Sequence, residues 1–316
     1  MSDIRIGLIG GSGLGAAITQ EANGGVVNII DTPFGPPASP ILETNWHGLP
    51  VFVLSRHGPG HTVNPSQVPY RANIFALKKL GVTHIIASGA VGSLREEYKP
   101  RDVVIPDQII DKTRRVSTFY EHAAVHVEFA EPFCPVLRQI LIESAVGTAN
   151  ETRNETRNEA RNETRNETHF DGCYVAMEGP AFSTRAESHM HRLWGGDLIG
   201  MTAMPEAKLA KEAEIAYALV ALVTDYDCWK HPPASQQTEK PDPFVLLSEI
   251  IGHLKHATDN AVALMKRAVE RIAANPSVLD ACPASHALKL AIWSDKSSID
   301  KNEIRRLAPL WLKYFQ

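Results

Sequence analysis

Short apolar runs alternate with longer amphipathic segments along most of the chain. Seven runs have the length and the residue content of buried strands, at residues 4–9, 51–55, 84–88, 102–106, 173–177, 197–201 and 217–223. Helical patterns lie between several of them. Because strands and helices are mixed throughout, with no linker between two blocks of different composition, we expect a single α/β domain over residues 1–316.

Several of the predicted helices have recognisable ends. Gly81 directly follows one helical pattern, as expected of a residue that ends a helix in the left-handed conformation. Thr184 and Glu187 have the spacing of a capping box at the start of another helix. Pro205 suits the first turn of a third. Asp242 is the expected N-cap of the longest helical pattern in the chain.

One segment lacks apolar periodicity. Residues 150–168 repeat Arg, Asn, Glu and Thr or Ala every four residues and contain no large apolar side chain. Such a segment cannot bury a stripe against the core, so we expect a low-complexity, solvated insertion that is disordered or transiently helical. We assign it no chemistry.

The composition mainly excludes classes of protein. The 316 residues are 44% hydrophobic and 22% charged, which is ordinary for a globular protein with a large core. The net charge of −4 argues against nucleic acid or an anionic membrane as the main partner. No apolar stretch has membrane-spanning length, and the start of the sequence lacks a secretory signal. The four cysteines are scattered, which favours a reduced, cytoplasmic protein.

The first predicted strand runs into the glycine-rich stretch GLIGGSGLG, residues 7–15. A dinucleotide-binding loop would also need a second strand that ends in an acid about 20 residues later. Residues 31–41 are instead rich in proline, which argues against that interpretation. The alternatives are a backbone nest for an anion, to which Ser12 would add a hydroxyl, and a plain turn that needs glycine.

Two further strand ends carry groups that suit a tetrahedral oxyanion such as phosphate. Arg56 and His57 follow the strand at 51–55 and offer hydrogen-bond donors, although alone they also fit a surface arginine and a loop histidine. The small residues of SGAVGS, at 88–93, would present backbone N–H groups to the same anion. Three strand ends that could converge on one site favour a binding pocket.

The remaining candidates lie on later segments. Phe182 precedes a predicted helix, where its ring would face a ligand or pack in the core. Thr202 would reach an anion or cap the following helix, and Met201 would contact a sugar or fill the core. The apolar run ALVALV leads into two acids, Asp225 and Asp227, and a buried strand rarely ends in paired carboxylates without a reason.

Nine motifs occur in order along the chain: IGLIGGSGL, DTPFGPP, SRHGPGHTVNPSQVPYRANIFALKKLGV, SGAVGSLRE, DQIIDKT, AEPFCP, MEGPAFSTRAES, GMTAMPEAKLAKEA and VTDYDCW. Together they resemble the trimeric purine nucleoside phosphorylase family, and within it the phosphorylases of 5′-methylthioadenosine. The resemblance runs from residue 4 to about residue 230 and more weakly through the C-terminal helix. It implies a twisted mixed β-sheet flanked by helices, a homotrimer, no metal or organic cofactor, and inorganic phosphate as co-substrate.

The resemblance also implies roles for individual residues. Phosphate would be bound by Ser12, Arg56, His57 and Thr202 and by the backbone around Gly89 and Ala90. The nucleoside would be bound by Met201 against the ribose, Phe182 on the purine, and Asp225 and Asp227 at the base edge. His126 would reach the 5′ group in the site of a neighbouring subunit.

The implied reaction is phosphorolysis of S-methyl-5′-thioadenosine to adenine and 5-methylthioribose 1-phosphate, a step of purine and methionine salvage. Asp225 would donate a proton to N7 of the purine and then accept from the 6-amino group, while Asp227 would act chemically or orient Asp225. The alternatives are a 6-oxopurine nucleoside or methylthioinosine phosphorylase, a hydrolase of the same bond, and a non-catalytic nucleoside-binding protein.

The sequence departs from the family pattern at two places in the expected site. SGAVGS stands where animal members specific for adenine have a threonine-rich stretch, so that backbone donors would replace a side-chain contact to phosphate. Gly200 replaces an asparagine before the Met-Thr pair, which would loosen a contact near the base or the sugar.

Overall fold

The computed structural model describes residues 4–11, 18, 25–155, 167–230 and 243–316. Within them eleven strands form one mixed sheet. The strands are β1 (Ile6–Gly10), β2 (Val26–Asn28), β3 (Ile41–Trp46), β4 (Leu49–Ser55), β5 (His84–Ser93), β6 (Val103–Val104), β7 (Gln108–Asp111), β8 (Thr168–His169), β9 (Cys173–Ala176), β10 (Leu198–Gly200) and β11 (Ala216–Tyr226).

The order across the sheet is β2-β3-β4-β1-β5-β10-β9-β7, with β11 pairing β5 and β6, and β8 pairing β6. Four of these strands run in the same direction at its centre, because β1 is parallel to β4 and β5, and β5 is parallel to β11. Their carboxyl ends therefore meet at one edge of the sheet, the usual place for a ligand in an open α/β sheet.

Helices cover both faces of the sheet. They are α1 (Tyr70–Lys79), α2 (Pro135–Glu155), α3 (Arg185–Leu193), α4 (Ala203–Glu212), α5 (Pro243–Ala274), α6 (Lys301–Arg306) and α7 (Ala308–Trp311). One core cluster joins the sheet to α1, α4 and α7, and the other joins it to α2 and α5. Successive side chains of β11 point to opposite faces of the sheet, as in any strand, so Leu219 packs in the first cluster and Val220 in the second. The predicted fold class, a mixed sheet flanked by helices, is confirmed.

All seven predicted strands are present, but the apolar pattern missed four others: β2, β3, β7 and β8. Strand β3 is the most informative of these. It pairs with β4 through a two-residue turn, in which His47 and Gly48 both have positive φ, 52° and 86°. Such a turn matches the twist of the two strands it joins. The polar residues within ILETNW conceal the strand from a search for apolar runs.

The predicted helix ends that lie within the described residues are confirmed. Gly81 has φ 80°, just after the end of α1. Thr184 and Glu187 form both hydrogen bonds of a capping box on α3. Met204 has extended torsion angles (φ −116°, ψ 137°), so the regular part of α4 begins at Pro205. Asp242, the expected N-cap of α5, lies outside the described residues.

The polar repeat begins inside a described helix. Helix α2 continues to Glu155 and so includes residues 150–155 of the repeat, while Thr168 at its other end belongs to β8. Residues 156–166 lie outside the described residues, so a solvated insertion stays a prediction. In the parts of the chain that the structure describes, every helix is too short or too polar to cross a membrane.

Candidate active site

The site lies where the carboxyl ends of the central parallel strands meet. Gly11 follows β1 and Arg56 follows β4. The backbone of Arg56 is held against the end of β1, since its N–H donates to the carbonyl of Gly10 over 2.9 Å. The middle of β5 lies beside them, because a Cβ placed on Gly11 would be 3.2 Å from the carbonyl oxygen of Ser88 and 3.5 Å from the Cα of Gly89. The glycine thus allows three chain segments to approach closely.

A fully buried ion pair fixes the guanidinium of Arg56. Its Nε and Nη2 atoms donate to the two carboxylate oxygens of Glu206 over 2.8 Å and 2.7 Å, and its Nη1 donates to the carbonyl of Ser88 over 2.7 Å. The hydroxyl of Tyr217 donates to the same carboxylate over 2.8 Å. Burial alone would lower the pKa of Arg56, but the charge and hydrogen bonds of Glu206 raise it above its ordinary value. The guanidinium stays charged and keeps two N–H groups, one on Nη1 and one on Nη2, for an anion.

Thr202 joins the same group of residues. Its Oγ1 would be 3.3 Å from a Cβ on Gly89, and only 8% of the residue is exposed. Thr202 precedes α4 without capping it by its side chain, so the hydroxyl is not committed to the helix end. The structure therefore brings together Arg56, Thr202 and Gly89, and Ala90 follows Gly89 on β5. Ser12 lies outside the described residues.

His57 is neutral and has a defined tautomer. Its Nδ1 lies 2.8 Å from the carbonyl oxygen of Val63, which can only accept, so Nδ1 carries the hydrogen and Nε2 the lone pair. Burial, and then the charge of Arg56, lower the pKa of His57 to about 4. The ring stacks on His61, with centroids 4.3 Å apart. At neutral pH, Nε2 can accept a hydrogen bond from a protonated phosphate oxygen.

The two aspartates flank β5 three residues beyond Gly89. A Cβ on Gly92 would lie 3.5 Å from Asp225 Oδ1 and 3.5 Å from the Cβ of Asp227. The register of β11 shifts between Val223 and Asp225, and Thr224 Oγ1 donates to Asp225 Oδ2 over 2.7 Å. Asp227 is 9% exposed, and its buried Oδ2 has no hydrogen-bond partner among the described residues. A buried carboxylate oxygen of this kind calls for a ligand or a water molecule.

Met201 and Phe182 differ in exposure. Met201 packs against the loop after β9, since a Cβ on Gly179 would be 2.5 Å from its Sδ. Gly179 has φ 69°, so both its conformation and its neighbour require glycine. Phe182 is 85% exposed, and its loop lies beside the aspartates because the carbonyl of Ser183 accepts from Cys228 over 3.4 Å. The ring is therefore not a core residue.

His126 lies on an exposed segment. Its backbone N–H donates to the carbonyl of Ala291 over 2.9 Å, and its ring packs edge-on against Trp293 at 4.7 Å. Trp293 is itself 72% exposed. A role for His126 in a neighbouring subunit's site stays a prediction.

The space at Gly200 is filled by another residue. A Cβ at this position would overlap the hydroxyl of Tyr174, which accepts a hydrogen bond from the backbone N–H of Thr202. Tyr174 is buried on the neighbouring strand β9. The glycine makes room for the tyrosine that accepts from Thr202, and the loosened contact near the base or the sugar stays a prediction.

Two residues of the site were missed from the sequence: Glu206 and Tyr217. Glu206 binds Arg56, from which it lies 150 residues away along the chain, and Tyr217 in turn donates to Glu206. The only local signal is the acid after Pro205, which is also ordinary for the first turn of a helix. Within the described parts of the chain, no group of three or more histidine, cysteine or acidic residues could hold a metal ion.

Comparison with known proteins shows the family to which the chain belongs. The family described as the phosphorylase superfamily matches residues 5–270. The S-methyl-5′-thioadenosine phosphorylase of Thermosynechococcus vestitus is 43% identical, over 98% of this chain and 99% of that protein. The enzyme of the same name from Geobacter sulfurreducens is 42% identical over 96% of each chain.

Solved structures show the same likeness. A methylthioadenosine phosphorylase from an Antarctic soil metagenomic library has a TM-score of 0.82 and 42% identity, over 98% of this chain and 99% of that chain. The S12T mutant of the adenosine/methylthioadenosine phosphorylase of Schistosoma mansoni, in complex with methylthioadenosine, has a TM-score of 0.77 and 34% identity, over 92% and 99% of the two chains. The chain belongs to the phosphorylase superfamily.

The buried ion pair leads to a prediction about stability. Glu206→Gln leaves the guanidinium of Arg56 buried without its counter-charge, so we expect the free energy of unfolding to fall by about 3 kcal/mol or more. Urea denaturation followed by circular dichroism measures the loss. The matched control is Glu143→Gln, which breaks the exposed pair with Arg271 and should cost less than about 1 kcal/mol. Equal losses in both variants would contradict the structural importance of the buried pair.

The neutral state of His57 leads to a prediction about pH. The folded pKa of about 4 lies below the ordinary value of 6.5, so the unfolded chain takes up the proton first as pH falls. His57 should therefore lower stability progressively between about pH 6.5 and pH 4, by about 2 kcal/mol in all. Urea denaturation at pH 7 and pH 4.5 should show a smaller loss for His57→Asn than for the unmodified chain. The exposed His47→Asn, which keeps a residue that tolerates positive φ, should behave like the unmodified chain.

Proposed function

We propose that the protein catalyses phosphorolysis of S-methyl-5′-thioadenosine to adenine and 5-methylthioribose 1-phosphate. The observation that carries the proposal is the spacing of two chemically different groups along one strand. Arg56 lies at Ser88 and Thr202 at Gly89, and the two aspartates lie at Gly92. Three residues of strand separate them by roughly 10 Å, so one ligand can contact an anion site at one end and a carboxylate site at the other.

The end of the site at Gly89 supplies the nucleophile. Arg56 offers two free N–H groups at a position fixed by Glu206, and His57 offers an acceptor for a protonated phosphate oxygen. These groups hold phosphate in a fixed place relative to the sugar, and the gain in rate comes from positioning and electrostatics. Ser12 and the backbone at Ala90 complete this set in the proposal.

The end of the site at Gly92 acts on the leaving group. A purine leaves poorly as an anion, so proton donation by Asp225 to N7 assists departure while C1′ becomes cationic and is captured by phosphate. The ionised carboxylate then accepts from the 6-amino group. Asp227, with its unpartnered oxygen, either binds the base edge or orients Asp225. Phe182 packs on the purine and Met201 lies against the ribose.

The amino-terminal part of α5 supplies a place for the 5′ substituent. A cavity of about 500 Å³ is lined by the apolar side chains of Phe244 and Val245, by Gly252, and by the polar residues Arg101, Ser248, Glu249 and His253. His253 also contacts the carbonyl oxygen of Thr224 through Nδ1 at 3.0 Å, which brings the cavity beside the end of β11. Its apolar side chains suit an alkylthio group better than a hydroxyl. The alternative, a 6-oxopurine or methylthioinosine phosphorylase, would need a donor where the carboxylates stand.

The proposal includes a cytoplasmic homotrimer that binds small molecules and uses no metal or organic cofactor, with phosphate as co-substrate. The exposed Trp293 beside His126 supports contact with a second copy of the chain, because aromatic residues are enriched at protein–protein interfaces relative to the rest of the surface. His126 would then contribute to the neighbouring subunit's site near the 5′ group.

Phosphate dependence tests the reaction type. Methylthioadenosine incubated with the protein should release adenine in phosphate buffer, and release should stop after exhaustive removal of phosphate, because the nucleophile is then absent. Adenine and the sugar product are followed by liquid chromatography. Undiminished release without phosphate would identify a hydrolase, and no release in either buffer would indicate a binding protein.

Asp225→Asn tests the assignment of the base. The amide lacks the proton donated to N7 and places a donor where the 6-amino group needs an acceptor, so turnover of methylthioadenosine should fall by about 100-fold or more. Turnover of methylthioinosine should fall much less, since its 6-oxo group accepts a hydrogen bond. Asp227→Asn, directly after the end of the same strand, serves as the matched variant. Equal losses on both substrates for Asp225→Asn would overturn this role.

A further inference from the structure

One buried arginine outside the predicted site contacts all three loops around it. The side chain of Arg115 is 6% exposed and follows β7 by a few residues. Its Nε donates to Glu178 Oε1 over 3.0 Å, and its Nη2 donates to the carbonyl of Glu178. The two N–H groups of its Nη1 are shared among three acceptors, the carbonyls of Met201 and Met204 at 2.6 Å and 3.0 Å and the hydroxyl of Tyr70.

The third loop is reached through Tyr70. Nη1 of Arg115 donates to the Tyr70 hydroxyl over 2.7 Å, and that hydroxyl donates to the carbonyl of Pro65 over 2.9 Å. Pro65 belongs to the segment between β4 and α1, which also contains His57. The hydroxyl of Ser66 in this segment donates to the carbonyl of Glu178 over 3.1 Å, so it too is connected to Arg115.

Each contacted loop carries residues of one part of the site. The loop after β9 contains Glu178 and Phe182, and the turn after β10 contains Met201 and Thr202. The two lie directly against each other, since Met201 Sδ packs on Gly179. Arg115 contacts the backbone on both sides of this packing point. It therefore fixes the distance between the loop after β9, which is proposed to bind the purine, and the turn after β10, which is proposed to bind ribose and phosphate.

We propose that Arg115 is a positioning residue that sets the phosphate site and the purine site at the separation needed for reaction. This inference rests on the proposed phosphorolysis. Only a planar fork of five donors can reach Glu178, Met201, Met204 and Tyr70 at once, because a lysine ammonium provides three donors from a single atom. Arg115 touches neither phosphate nor nucleoside in this role.

Replacing Arg115 should lower the rate of catalysis without weakening the binding of either ligand. In Arg115→Lys the contacts within each half of the site remain, so the dissociation constants of phosphate and of adenine, each measured alone by calorimetry, should change by less than about threefold. The kcat for methylthioadenosine should fall by about 100-fold, since a displacement of about 1 Å between reacting groups costs this much. A variant that was merely less stable would lose active protein without this split.

Arg138→Lys is the matched control. Arg138 is a partly buried arginine that also binds backbone, donating to the carbonyls of Pro106, Ile105 and Phe170 over 2.8 Å, 3.3 Å and 2.7 Å. None of these three residues belongs to the proposed site, so kcat should stay within about twofold of the unmodified value. If both variants lose kcat equally, or if Arg115→Lys keeps it, the proposal is overturned.

Two further measurements keep the test decisive. If Arg115→Lys does not fold, Tyr70→Phe removes one of the hydrogen bonds of Arg115 and should lower kcat about fivefold to tenfold with unchanged substrate binding, consistent with the loss of one hydrogen bond to a charged group. A wild-type kcat in Tyr70→Phe would then contradict the proposal. The unmodified protein is assayed first, because its failure to release adenine with phosphate overturns the proposed function rather than the role of Arg115.

Discussion

The buried pair of Arg56 and Glu206 is the constraint on which the proposed phosphate site depends. Both side chains are fully buried, and their removal from water costs several kcal/mol per ion. Two parallel hydrogen bonds between them, with Ser88 and Tyr217 as further partners, offset that cost. Apolar residues of the same volume could give similar stability, so the pair is better explained by the need for a fixed positive charge at the end of β4.

The two ends of the proposed site, one for phosphate and one for the purine, differ in how firmly their side chains are held. At the phosphate end Arg56, His57 and Thr202 are all buried and their surroundings are fixed by hydrogen bonds or close packing. At the purine end Phe182 is 85% exposed. Ordering that exposed ring on a bound purine costs conformational entropy at the moment of binding. The side chains of the phosphate end are already ordered in the folded chain, so phosphate binding does not carry this cost. Binding of the purine should thus depend more on movement than binding of phosphate.

The hydrophobic pattern predicted much of the sheet because its central strands are buried on both faces. It placed Arg56 and His57 correctly at the end of β4, and the aspartates at the end of β11. It missed β3, whose polar residues break the apolar run. It also missed Glu206 and Arg115, because their partners lie far along the chain: Arg56 is 150 residues from Glu206, and Arg115 is 63 residues from Glu178. Such pairings follow from the fold rather than from any local pattern.

Gly200 shows why a residue cannot be judged against a family pattern one position at a time. Taken alone, a glycine in place of an asparagine removes a polar side chain from the site. In the folded chain a side chain at position 200 and the hydroxyl of Tyr174 would occupy the same space, and that hydroxyl accepts from the N–H of Thr202. The two positions are therefore coupled, because only a residue without a side chain at position 200 leaves room for the Tyr174 hydroxyl that accepts from Thr202.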